Sequence, residues 1–447
     1  MKNLYIKNYG CQMNAYDAGR MADLLKNSHM LKMVESPEEA DLIILNTCHI
    51  REKADEKIFS ELGRLKKLTG RHTPNRRTIF AVGGCVGQAQ GAELFKRAPF
   101  VDMVFGPQNY HHLPNMLDQV LDGKRQLHDI EIPRESKFDV LPSAPTSGYS
   151  AAVPVQEGCD RFCTYCVVPF TRGREWSRPV GDILQEVENL TNKGALEIEL
   201  LGQNVNAYRG CDQAGVEHDL ALLIRQVSLV PGVERIRFIT SHPADMSDDL
   251  VDAFAEVPEL NPYMHLPIQS GSDKILAAME RGHSVAEYLS WIDKLRQASP
   301  GIALASDFIV GFPGETEDDF QQTLDLLAKV RYDHAYSFVF SPRPGTAAAD
   351  MKDIVPQDVG EKRLLRLQEL INRIQFEQNQ ANVGRVESVL VEGVAKKGQG
   401  MLAGRTAGFR RINFPAPAEL IGSLVDVLVT EARPNSLMGK LAGMIHE

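Results

Sequence analysis

The stretch QEGCDRFCTYCVVPF, with Cys159-x-x-x-Cys163-x-x-Cys166, constrains this chain more than any other. Three thiols this close can grip one metal centre, but three ligands do not close a tetrahedron, and a structural zinc site normally has four. A cubane iron–sulfur cluster held by three cysteines keeps one iron open, where a substrate or cofactor can bind. The motif therefore points to a catalyst; the competing reading is a zinc knuckle completed by a distant residue. The N-terminus MKNLYIKNYG lacks the apolar core of a signal peptide, so a cytoplasmic protein is expected, whose seven cysteines serve as ligands or redox groups.

Upstream, LYIKNYG, DLIILNT and IFAVGG are short apolar runs that end in turn residues, with helical patterns between them at Asn14–Asn27 and Arg51–Leu68. Alternation of this kind predicts a parallel sheet covered by helices, with a fourth strand at Asp102–Phe105. Each of the first three strands runs into a cysteine: Cys11, Cys48 and Cys85. Loops at the carboxyl ends of parallel strands share one sheet edge, so these thiols are expected to meet and to hold a second cluster. The alternative is three buried core cysteines. Arg64, Lys66, Lys67, Arg71, Arg76 and Arg77 form a basic run that suits phosphates, although such runs are more often solvated loops.

Proline and serine at 141–150 mark a linker. Six strand-like runs follow (AVPVQEG, LEIELLG, RIRFIT, YMHLP, IALASDFIVG and HAYSFVF), separated by helical patterns such as Asp182–Thr191, Leu220–Leu229 and Phe320–Lys329. They predict a partial (β/α)6 barrel with its reactive groups at the carboxyl ends of the strands, which is where the central cysteines fall. Polar or glycine-rich turns end the other strands: Gly202-Gln203-Asn204, Ser241-His242-Pro243, Gln269-Ser270-Gly271 and Gly311-Phe312-Pro313-Gly314-Glu315. Amides, hydroxyls and close backbone there suit a ribose or an amino-acid group. His242 and His265 are candidate acid/base groups or structural histidines. Cys211 has no assigned role.

A long helix is predicted over Pro356–Asn382, and three alternating strand regions after it predict a small β-barrel. The net charge of −10 is uneven: residues 380–447 carry +2 and the remainder −12, so any nucleic-acid contact is local. Lys396, Lys397, Arg405, Phe409, Arg410, Arg411 and Phe414 suit single-stranded RNA, or a docking surface. No apolar run is long enough to span a bilayer, and no membrane partner is expected.

Taken together, the motifs resemble the methylthiotransferase family of the radical S-adenosylmethionine (SAM) superfamily. The central motif with Tyr165 is similar to the radical SAM signature. YGCQMN, NTCHIREKA and GGC resemble the methylthiotransferase N-terminal domain, and the tail resembles the TRAM barrel. The resemblance implies an α/β chain in three parts: 1–120, a radical SAM domain at 145–378 and an RNA-binding domain at 380–446. It also implies two 4Fe-4S clusters, on Cys159, Cys163 and Cys166 and on Cys11, Cys48 and Cys85. SAM contacts are implied at Tyr165, Gln203, Asn204, Gln269 and Gly311.

GCQMN, NTCHIREKADEKIFS, CTYCVVPFTRGREWSRP, GQNVNAY and FSPRPGT are similar to the branch that methylthiolates C2 of N6-dimethylallyl(isopentenyl)adenosine-37 in tRNA. In that branch one SAM yields a 5′-deoxyadenosyl radical, another supplies the methyl group, and the N-terminal cluster supplies sulfur. A C2 hydrogen is neither acidic nor easily displaced, so radical chemistry is a reasonable route. The implied partners are the anticodon stem-loop and a low-potential electron donor such as flavodoxin or ferredoxin, with a monomer as the default oligomeric state. Ala18 departs from the family's usual serine. Sister branches acting on threonylcarbamoyladenosine or a ribosomal-protein aspartate, and a non-catalytic iron–sulfur RNA sensor, are the alternatives.

Overall fold

The computed structural model describes residues 2–48, 54–72, 77–132, 137–140, 148–396, 398 and 400–443, without the side chains of 54, 55, 70–72, 139 and 140. His49–Lys53, Arg76, Lys397, most of the expected linker and the Arg71 side chain lie outside the described residues. The chain divides into two compact units. One holds Met1–Pro145, Glu157–Phe162 and Cys166–Trp176; the other holds Thr146–Gln156, Cys163–Tyr165 and Ser177–Glu447.

The first unit is built on β1 (Asn3–Tyr9), β2 (Lys32–Met33), β3 (Leu42–Thr47), β4 (Ile79–Gly84), β5 (Met103–Phe105) and β6 (Leu127–Asp129). They form one sheet in the order β2-β1-β3-β4-β5-β6, parallel throughout. Its helices are α1 (Gln12–His29), α2 (Ala54–His72), α3 (Cys85–Gln90), α4 (Glu93–Arg97) and α5 (Leu113–Leu121). Every residue of β3 and β4 is buried, because a parallel sheet is covered on both faces. Leu42, Ile44 and Ala81 pack with Met21 and Leu25 of α1 and Leu117 of α5. Ile43, Leu45 and Val82 pack with Ile58, Leu62 and Leu65 of α2. The expected strands and helices are present; the short strands β2 and β6, of two and three residues, and the helices α3, α4 and α5 are additional.

Around the cysteine motif the chain runs through β7 (Ser150–Pro154), β8 (Gln156–Glu157), α6 (Val168–Arg172) and β9 (Trp176–Ser177). The second unit continues with α7 (Val180–Thr191), β10 (Glu197–Leu201), the hairpin β11 (Arg209–Cys211) and β12 (Glu217–Asp219), α8 (Leu220–Ser228) and β13 (Arg235–Phe238). Then come α9 (Asp248–Glu256), β14 (Tyr263–His265), α10 (Asp273–Ala278), α11 (Val285–Ala298), β15 (Ala303–Val310), α12 (Glu317–Val330), β16 (His334–Val339) and α13 (Gln357–Gln380). Strands β7, β10 and β13 form one parallel sheet and β14, β15 and β16 another. Ile236 of β13 bridges to Leu260, three residues before β14, so the two sheets follow one another as a six-stranded open barrel. Helices α11 and α12 start at capping boxes, Ser284 with Glu287 and Thr316 with Asp319, which satisfy backbone donors that the first turn leaves open.

The tail forms a closed barrel, β17 (Val386–Val394), β18 (Met401–Thr406), β19 (Arg411–Pro415), β20 (Leu424–Arg433) and β21 (Ser436–Leu441), in the order β17-β18-β19-β21-β20. The second and third predicted strand regions each fold into two strands. Val389, Val391, Leu402, Ile412, Phe414, Val427 and Leu437 fill its core.

Candidate active site

At their carboxyl ends β1, β3 and β4 are neighbours in register: Tyr9 pairs with Thr47, and Thr47 with Gly84. Neighbouring strands lie about 4.8 Å apart, so Cys11, Cys48 and Cys85 leave one sheet edge side by side. Cys48 and Cys85 are buried and Cys11 is exposed. Cys11 caps α1, and its thiol donates to Asn14 Oδ1 at 3.1 Å. Asn14 is buried; its amide donates to the Thr47 carbonyl at 3.2 Å, and its own carbonyl accepts from Asn46 Nδ2 at 2.6 Å. These bonds tie the Cys11 turn to the end of the Cys48 strand. Gly84 has φ 86°, and a Cβ there would lie 2.5 Å from the Thr47 carbonyl oxygen. Only glycine lets β4 turn into Cys85 this close to β3.

In the second trio, each sulfur faces a hydrogen-bond donor. The Arg161 N–H points at Cys159 Sγ at 3.4 Å and the Val168 N–H at Cys166 Sγ at 3.5 Å. Cys163, in the second unit, receives Arg281 Nη1 at 3.4 Å, with His242 Nε2 at 4.0 Å. His242 Nδ1 accepts from the Ala244 N–H at 3.2 Å, which places the proton of the neutral ring on Nε2, toward the sulfur. Backbone and guanidinium donors around cysteine sulfur suit thiolate ligands and tune the cluster they hold. Among the described residues no three cysteine, histidine or carboxylate groups converge on a single metal ion. Thr164 anchors the loop, with its N–H donating to the Met279 carbonyl at 3.1 Å and its hydroxyl to the Ala278 carbonyl at 3.0 Å.

Of the remaining expected site residues, Tyr165 lies in the cysteine loop and the others follow strands of the second unit. After β10, the backbone N–H groups of Gln203 and Asn204 donate to Gln156 Oε1 at 2.9 and 3.1 Å, and the Asn204 amide reaches Asp245 at 2.8 Å. After β14, Gln269 adopts φ 78° and bridges to Phe308. After β15, Gly311 has φ 70° and donates its N–H to Glu315 Oε2 at 2.7 Å, a carboxylate paired with Arg363 at 2.7 Å. Tyr165 packs against the cluster of Ile275, Met279, Phe312 and Ala348. His265 Nδ1 accepts from the Thr240 N–H at 3.2 Å, and its Nε2 lies 3.5 Å from Asp307. Cys211 is exposed on the β11–β12 hairpin. Arg281 carried no sequence signal, lying 118 residues beyond Cys163.

Several residues read as RNA contacts prove to be structural. Phe414 is fully buried in the small barrel. Phe409 packs on Tyr263 (ring centroids 5.1 Å apart), with the Arg237 and Arg405 guanidiniums 4.3 and 4.2 Å from its ring centroid. Arg410 pairs with Asp333, and Arg235 donates to the Ser388 carbonyl at 2.7 Å. This face docks the small barrel against the open one; Lys396 and Arg411 remain exposed. In the basic run, Arg64 pairs with Glu61, Arg77 pairs with Asp102, and Lys66 lies over the Phe100 ring at 4.3 Å.

An open six-stranded barrel with a three-cysteine loop after its first strand defines a radical SAM enzyme. The Radical SAM superfamily model matches residues 153–327, the model of the Uncharacterized protein family UPF0004 matches 3–106, and the TRAM domain model matches 380–442. A tRNA-2-methylthio-N(6)-dimethylallyladenosine synthase from Magnetococcus marinus is 60% identical over 441 residues, covering 99% of this chain and 100% of that one. A protein of the same name from Chromohalobacter salexigens is 51% identical over 444 residues, covering 99% and 98%. The chain belongs to the tRNA-2-methylthio-N(6)-dimethylallyladenosine synthase family. The fold is shared with the radical SAM methyltransferase TsrM from Kitasatospora setae, at TM-score 0.56 and 13% identity, covering 90% of this chain and 81% of that one.

Proposed function

We propose that this chain methylthiolates C2 of N6-dimethylallyladenosine-37 in tRNA, using two 4Fe-4S clusters and two SAM molecules. End-to-end similarity to relatives of that name carries the reading, and two sets of three cysteines supply ligands for the chemistry. Cys159, Cys163 and Cys166 would hold the cluster that supplies an electron for reductive cleavage of SAM, and Cys11, Cys48 and Cys85 would hold the one that supplies sulfur.

The protein's part is positioning. Arg281 and the Arg161 and Val168 amides stabilise thiolate charge. Gln156, through Gln203 and Asn204, and Glu315, through Gly311, hold the turns assigned to SAM, and Tyr165 and Gln269 are assigned to the same ligand. The exposed Lys396 and Arg411 are assigned to tRNA phosphates. A low-potential flavodoxin or ferredoxin as electron donor, a monomer in the cytoplasm, and domain limits at 1–120, 145–378 and 380–446 complete the proposal. Among the described residues no helix is long and apolar enough to cross a membrane.

The purified, reconstituted protein is expected to bind about eight irons per chain and to release 5′-deoxyadenosine from SAM under reduction. Iron binding without 5′-deoxyadenosine would instead support the non-catalytic RNA sensor.

A further inference from the structure

Four charged side chains close a ring inside the first unit. Arg172 reaches Asp17 at 2.9 Å and Glu157 at 3.4 Å, and Lys137 reaches the same two carboxylates at 3.3 and 2.6 Å. All four side chains are 4% exposed or less. Lys137 also donates to the Pro107 carbonyl at 3.2 Å and lies 4.8 Å from the Tyr110 ring centroid. Two cations and two anions balance, yet desolvation offsets much of their attraction, so a ring like this is weak evidence for stability. A buried polar network can instead select one arrangement of the parts it joins.

The parts joined here are those that carry both cysteine sets. Asp17 lies on α1, the helix capped by Cys11. Glu157 precedes Cys159 by two residues, and Arg172 ends α6, the helix after Cys166. Helix α6 packs on α3, whose first residue is Cys85. Burial opposes the Arg172 charge, but Asp17, Cys85, Glu157 and Cys11, in falling order, outweigh it and hold the guanidinium ionised.

We propose that the Asp17–Arg172–Glu157–Lys137 ring is a register clip, with Arg172 its central positioning residue, that sets the Cys11 and Cys85 segments against those of Cys159 and Cys166. The inference rests on the two-cluster reading above and adds to it the coupling of radical formation to sulfur insertion. None of the four residues is required to touch SAM or the adenine.

Removing opposite charges in pairs avoids stranding one in the interior, so the test uses Asp17→Asn with Arg172→Gln and, separately, Lys137→Met with Glu157→Gln, each in the full-length holoenzyme. Both variants are expected to keep the parent's iron content and to release 5′-deoxyadenosine within about twofold of the parent. Methylthiolated product should fall by roughly a hundredfold, the scale of a 1 Å misplacement of reacting groups. Pulsed EPR of the doubly reduced protein should show a weakened or broadened magnetic interaction between the clusters. The clip is refuted if 5′-deoxyadenosine and product fall together, if neither changes, if the magnetic interaction is unaltered, or if both variants lose iron or fail to fold. A parent enzyme that makes no 5′-deoxyadenosine would defeat the two-cluster reading instead.

Discussion

Cys159, Cys163 and Cys166 share eight residues of one loop, whereas Cys11, Cys48 and Cys85 stand thirty-seven residues apart and meet through the topology of a sheet. The first set is local: its spacing survives in any fold that leaves the loop intact. The second exists only while β1, β3 and β4 stay adjacent and in register, with Gly84 allowing close approach and Asn14 and Asn46 stapling the Cys11 turn to the Cys48 strand. The site proposed to generate the radical is thus encoded over a few residues, and the site proposed to donate sulfur over about eighty. The two should fail differently.

The sharpest separation comes from the ligands. Cys163→Ala should abolish 5′-deoxyadenosine formation, while Cys48→Ala should retain SAM cleavage and lose sulfur insertion, both read by chromatography of SAM products and mass spectrometry of tRNA. Normal product from Cys48→Ala would remove the N-terminal trio from the mechanism. Next is Gly84→Ala, which adds a methyl against the Thr47 carbonyl at a positive φ. It should cost ~3 kcal/mol and lower bound iron from about eight to about four per chain. Iron analysis showing all eight would mean that the tight β3–β4 edge does not hold the cluster.

On the local side, Arg281→Met removes the guanidinium donor from Cys163. Loss of such an outer partner should reduce activity or cluster affinity by roughly 10–100-fold, with the N-terminal cluster unaffected by EPR. A smaller effect lies at the small barrel's docking face. Burial, then the neighbouring Arg410, push His334 down to about 4. Its folded value lies below its unfolded one, so its contribution, up to ~3 kcal/mol, is complete above pH 6.5 and lost as pH falls toward 4. Hydrogen exchange at β17–β21 should rise over that window, and His334→Gln should flatten the dependence. The smallest changes are Lys396→Ala and Arg411→Ala: each should weaken tRNA binding and lower the salt slope by about one, whereas Phe409→Ala should act on stability first.

The parallel sheet, the open barrel and the placing of three cysteines after neighbouring strands were legible because strand patterns, turn residues and thiols lie next to one another in the sequence. Strands β2 and β6 were not, being too short to carry a period. Arg281 and the charged ring were hidden for another reason, since their partners are set by tertiary packing across long separations. Phe409, Arg410 and Phe414 were visible but ambiguous: basic and aromatic residues suit an RNA surface and a docked interface equally by composition. Only their burial and their partners Tyr263, Arg237 and Asp333 separate the two uses.

Two unlike cysteine sites are proposed to cooperate on one nucleoside. This is tested most directly by incubating the reconstituted protein with SAM, dithionite and either isopentenylated or unmodified tRNA, then digesting the tRNA for mass spectrometry. The 2-methylthio derivative of N6-dimethylallyladenosine is expected from the first substrate and none from the second. Product on unmodified adenosine, or modification of a ribosomal protein in its place, would contradict the proposal.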